Sequence, residues 1–93
     1  MTSDRFFEVA KLLPPYEQML LSVPRKIAEN ATEIRIRAGR PVVIECINER
    51  FICGTRCADM NEIYSCVIIC KIVWHFFNFF FYTNFVFLSC IIL

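Results

Sequence analysis

The sequence predicts an α+β fold, and three observations carry that expectation. Apolar residues recur at helical spacing through the first thirty positions, interrupted by prolines. From Glu33 the apolar period shortens to two, in runs separated by turns that contain Gly or Asn. A capped helical pattern then opens at Asp59. The expected order is short N-terminal helices, a small three-stranded antiparallel sheet, and a long helix running into an apolar C-terminal tail.

Ser3 is a fair N-cap and Asp4 suits the positive end of a helix dipole, while Phe6, Val9, Ala10 and Leu13 fall on one stripe. Pro14 and Pro15 end that helix, because a residue preceding proline avoids the helical region. Pro15 also suits the first turn of a second helix, in which Tyr16, Met19, Leu20 and Val23 repeat at helical spacing. Pro24 breaks again, and Arg25 to Asn30 give one or two further turns.

Ile34 and Ile36 alternate with Glu33, Arg35 and Arg37, as in a half-buried strand. Ala38-Gly39-Arg40-Pro41 is a turn: glycine tolerates a positive φ, and proline cannot donate to a central ladder. Val42 to Ile47 read as the second strand, Asn48-Glu49 as a turn, and Arg50 to Cys53 as the third strand before Gly54. Asp59 caps the last helix, and Glu62 three residues on completes a capping box. Met60, Ile63, Val67 and Cys70 or Lys71 follow along it, with no stop signal ahead of the tail.

Composition divides the chain. Hydrophobic residues make up 57% of it, but residues 72–93 carry seven of the ten Phe and no Asp, Glu, Lys or Arg. Residues 1–71, an N-terminal domain on this reading, hold every charged residue and have an ordinary soluble composition. Ninety-three residues exclude a large catalytic core, and a net charge of +1 implies no nucleic-acid partner. Ser3, Asp4, Arg5, Glu8 and Lys11 interrupt any secretory apolar segment, so the six cysteines are expected to be reduced in a cytosol.

Among chemistry-bearing residues, Cys53, Cys57, Cys66 and Cys70 form two pairs with zinc-like spacing. Cys66 and Cys70 lie in an apolar helical run, however, and the favoured reading of all four is small buried hydrophobes. His75 stands alone among aromatics, with no carboxylate after Glu62 to orient it. A phosphate-binding P-loop is absent, since Gly39 and Gly54 are the only glycines. Arg35, Arg37 and Arg40 are the most suggestive group. Two share a strand face and the third sits at the following turn, so three guanidinium groups can converge on a phosphate or carboxylate. The competing reading is a solvated face paired with Glu33, Glu45 and Glu49 across neighbouring strands.

At Glu33-Ile34-Arg35-Ile36-Arg37-Ala38-Gly39-Arg40-Pro41-Val42 the chain resembles the N-terminal region of the stage III sporulation protein AA family. That family of endospore-forming bacteria belongs to the secretion-ATPase branch of the P-loop enzymes. Its N-terminal region reads as helices, an E-I-R-[LI]-R-x-G-[RK]-P segment, a short sheet, and a helix with a Ser near an aromatic. The resemblance covers about residues 5–71. The family continues with a Gly-rich hairpin, Walker A and B motifs and an ATPase domain using ATP and Mg, none of which follows in these 93 residues.

The resemblance implies a truncated N-terminal interaction domain that neither binds nor hydrolyses ATP and needs no cofactor of its own. It makes Arg35, Arg37 and Arg40 contacts to a nucleotide phosphate or a neighbouring subunit. The implied partners are further copies of the chain or sporulation-channel proteins. Residues 72–93 then read as an out-of-frame or read-through segment. The alternative is a small single-span membrane protein, since 22 uncharged residues reach about 33 Å, enough for a hydrocarbon core of about 30 Å. Lys71 would then hold the N-terminal domain in the cytoplasm.

Overall fold

Proline and the apolar stripes set the path of the first thirty residues. The computed structural model describes residues 3–73, 80–84 and 87–91. Helix α1 (Ser3–Ala10) buries Phe6, Val9 and Ala10, and the chain leaves it through buried Leu13. Pro14–Tyr16 form one 3-10 turn with proline at its start, and α2 (Glu17–Leu21) follows directly. Tyr16, Leu20 and Val23 are buried from this stretch. Pro24 then opens α3 (Arg25–Asn30), its carbonyl accepting from the N–H groups of Ile27 and Ala28. Each large side chain buried this way contributes about 1.5–3 kcal/mol of transfer free energy.

The period-two segment forms β1 (Ala31–Arg37), β2 (Pro41–Cys46) and β3 (Arg50–Cys57), joined as an antiparallel meander. Ile34 and Ile36 of β1, Val42 and Ile44 of β2 and Cys53 of β3 are all buried in one core with the helices. Two glycines make the meander possible. Gly39, at φ 80°, turns β1 into β2, and its N–H donates to the Ala58 carbonyl at 2.8 Å. Gly54, at φ 62°, stands where the β2–β3 register slips, so that Val42 faces Cys53 while Pro41 faces Cys57. This bulge lengthens β3 beyond the expected end at Cys53 and carries Arg56 toward the next helix.

Helix α4 (Met60–Val73) begins with the expected capping box. The Glu62 N–H donates to Asp59 Oδ1 at 2.8 Å, and the Asp59 N–H donates to Glu62 Oε1 at 3.3 Å. Ile63, Cys66, Val67 and Cys70 form its buried stripe, whereas Met60, Tyr64, Ile68 and Ile72 are exposed on the other flank.

Among the described residues the sheet has five strands rather than the expected three. The long helix running on into the tail is also corrected: α4 reaches Val73, and two strands lie beyond it, β4 (Phe80–Asn84) and β5 (Phe87–Ile91). The strand order is β3-β2-β1-β5-β4, antiparallel throughout. β5 pairs along β1 from Glu33↔Ile91 to Arg37↔Phe87, which supplies partners for a backbone edge that a three-stranded meander leaves open. Leu88 and Cys90 join the core beside Ile34 and Ile36. A continuous apolar run has no period that separates a buried strand from a buried helix, and pairing with β1 decides for the strand.

Candidate functional site

Pleating divides β1 between two environments. Ile34 and Ile36 point into the core, so Glu33, Arg35 and Arg37 stand on the opposite, open face of the sheet. The β1–β2 register sets Arg35 opposite Val43 and Glu33 opposite Glu45, and the β2–β3 register sets Glu45 opposite Arg50. The hairpin turn is held at its tip, because the Arg40 N–H donates to the Arg37 carbonyl and the Arg40 carbonyl accepts from the Ala58 N–H. Arg35, Arg37, Arg40 and Arg50 thereby line one open cleft of about 120 Å³, with Pro41, Val43 and Glu45.

The three arginines singled out by spacing are therefore brought together, and a fourth joins them. Arg50 was not among the expected site residues. The register of the second hairpin brings it in: the Asn48-Glu49 turn, closed by the Cys46 N–H donating to the Glu49 carbonyl, places Arg50 back beside Glu45.

Cross-strand pairing accounts for part of the same face. Arg35 Nε donates to Glu33 Oε2 at 3.0 Å, and Arg35 Nη1 lies 3.8 Å from Glu45 Oε1. The Glu33 hydrogen bond and charge, with help from Glu45, raise Arg35 above the ordinary guanidinium range. Ser89 of β5, buried beside this row, also donates to Glu33 Oε2. Glu45 Oε1 lies 2.7 Å from Arg50 Nε, yet the approach lacks hydrogen-bond alignment, and this buried oxygen accepts no directed hydrogen bond. Glu49, the third carboxylate expected to pair there, makes no ion pair with these arginines among the described residues.

A second polar cluster lies at the opposite end of β3 and joins three elements. Arg56 Nη1 approaches Glu62 Oε2 at 2.7 Å and Oε1 at 3.0 Å, while Nη2 donates to the Pro15 carbonyl at 3.1 Å. The Tyr16 hydroxyl donates to Glu62 Oε1, and the Arg56 guanidinium sits 5.2 Å from the centre of the Tyr16 ring. Burial first, then the Glu62 hydrogen bond and charge, push the Tyr16 phenol well above its ordinary value. Each group is satisfied by a neighbour, so the arrangement is a tie between the helices and the sheet.

Of the four cysteines with zinc-like spacing, Cys53, Cys66 and Cys70 are buried and Cys57 is exposed. Burial pushes the Cys53 thiol up to about 11 and the Cys66 thiol up to about 12. Cys90, hydrogen-bonded to Cys70 and buried beside it, is raised well above the usual thiol range. The Cys70 thiol, on the other side of that hydrogen bond, is lowered instead. Among the described residues no group of three or more His, Cys, Asp or Glu side chains is placed to hold a metal ion. His75 lies outside the described residues, as do several positions of the 72–93 segment. No helix among the described residues is long and apolar enough to cross a membrane.

No family model, curated protein or solved structure matches the chain.

Proposed function

We propose that residues 1–71 are an interaction domain of the kind found at the N-terminus of stage III sporulation protein AA, catalytically silent on its own. The observation that carries this reading is the cleft, because the segment that bears the resemblance also builds it. Arg35, Arg37 and Arg40 of Glu33–Val42 line one cleft around the hairpin turn. The element order supports the reading further: short helices, the strand and turn of the motif, a small sheet, then a capped helix. In this role the cleft contacts an anionic group of a neighbouring subunit or ligand, and residues 1–71 supply binding without chemistry.

Two measurements test the proposal. The nucleotide sequence downstream of the reading frame is expected to encode Walker motifs in another frame, and unrelated sequence there counts against the family origin. Purified protein is expected to show no ATP turnover; measurable hydrolysis that copurifies with the 93-residue chain overturns the catalytically silent role.

A further inference from the structure

We propose that the arginine cleft receives a compact, multiply charged oxyanion of the phosphoryl class, and that Glu45 is the internal counter-ion which this anion displaces from Arg50. The inference rests on the contact role given to the cleft above and names its ligand. Four guanidinium groups from three segments line about 120 Å³, against a single lining carboxylate. Pro41 and Val43 supply the apolar part of the lining, and among the described residues no aromatic side chain lines it. The described lining therefore reads charge and oxygen geometry.

The four arginines are not equivalent. Arg35 is occupied by Glu33 through a directed hydrogen bond, so it serves as a fixed positive wall. Arg50 is held differently. Its side chain is 59% exposed, and its link to Glu45 is a close charge contact without hydrogen-bond alignment. Arg50 is the water-exposed member of the pair, so the contact is open to exchange from its side. A phosphoryl group brings at least three oxygens in tetrahedral directions, matching donors that approach from β1, the turn and β3. A planar carboxylate offers two oxygens in one plane, a poorer match to donors that arrive from three directions. On anion entry Arg50 turns from Glu45 to the ligand, Arg37 and Arg40 close on the other oxygens, and Glu45 keeps its charge contact with Arg35.

The experiment titrates the full chain with pyrophosphate and, in parallel, with glutarate, following arginine side-chain NMR signals and binding heat. Saturable pyrophosphate binding is expected, weakened by salt and clearly tighter than glutarate. The double variant Arg37→Gln/Arg40→Gln is expected to abolish it. Glu45→Gln removes the competing counter-ion and is expected to tighten binding about two- to fivefold, the range of one exposed ion pair. If Glu45→Gln fails to fold, Arg50→Lys retains charge but loses the fork, and several-fold weaker binding is the expected result. Pyrophosphate binding that survives the double variant overturns the site, and equal affinity for glutarate overturns the phosphoryl class. Absence of saturable binding to both wild type and Glu45→Gln, or to wild type alone where that variant does not fold, overturns the whole inference. Affinity unchanged by Glu45→Gln, or by Arg50→Lys in its place, overturns the counter-ion role. None of these failures touches the downstream reading-frame test, so the family proposal stands or falls separately.

Discussion

The two faces of β1 are built from adjacent residues and do different work. Ile34 and Ile36 are wholly buried against the helices and flanked by Ile44 and Leu88, so each is held by packing from several elements. Glu33, Arg35 and Arg37 face the other way, into a row of charges partly open to water. Removing atoms from the first face leaves a cavity that a close-packed interior refills only in part. Removing a charge from the second lets water and neighbouring side chains take its place. Stability is thus concentrated on one face, which leaves the other available for recognition.

Substitutions should separate the faces in order of size. Ile34→Ala is expected to cost about 3 kcal/mol in urea unfolding, with the slope unchanged. A loss below about 1 kcal/mol would mean that the helices do not pack on the sheet as described. Next comes Glu62→Ala, which deprives the Tyr16 hydroxyl, the Arg56 guanidinium and the Asp59 N–H of the capping box of their shared acceptor. It should cost about 1–2 kcal/mol, and Tyr16→Phe in the same background should then cost less than it does alone. Gly39→Ala meets open space but forces a side chain into φ 80°, so about 1 kcal/mol is expected there without any lost contact.

The core thiols sharpen the comparison through pH. Cys53 and Cys66 are pushed up to about 11 and about 12 from an ordinary value of 9.0, because burial disfavours the thiolate. The folded state therefore keeps these protons where the unfolded state releases them. Their contribution is complete below pH 9 and is lost progressively as pH rises from there toward 12. Unfolding free energy measured at pH 8, 9 and 10 should fall with pH, and the fall should be shallower in Cys66→Ala. On the open face, Arg50→Gln is expected to change stability by less than about 1 kcal/mol. A larger loss would show that the charge row supports the fold and would erase the distinction between the faces.

Much of the first 73 residues is legible without coordinates, because their signals are local. Pro14, Pro15 and Pro24 stop helices through their own rings, Gly39 allows its own turn, and Asp59 and Glu62 cap a helix from three residues apart. The Ile34 and Ile36 alternation is equally direct. Arg35, Arg37 and Arg40 belong to this local class, since one strand and one turn bring them together. Arg50 and Glu45 do not, because their meeting depends on the register of the second hairpin. The Tyr16–Arg56–Glu62 tie lies further from view, as its members are separated by up to 46 positions and a bulge at Gly54 aims one of them.

By itself the sequence determined the helical stripes, the capped start of α4, the β1–β2 hairpin and the outward direction of its arginines. Each follows from steric limits and periodicity within a few residues. Tertiary structure alone decided that Phe80–Asn84 and Phe87–Ile91 are strands and that Arg50 completes the cleft. An apolar run such as 80–91 is compatible with more than one backbone form. The choice falls to the unpaired edge of β1, whose N–H and C=O groups gain hydrogen bonds when a strand settles beside them while Leu88 and Cys90 enter the core.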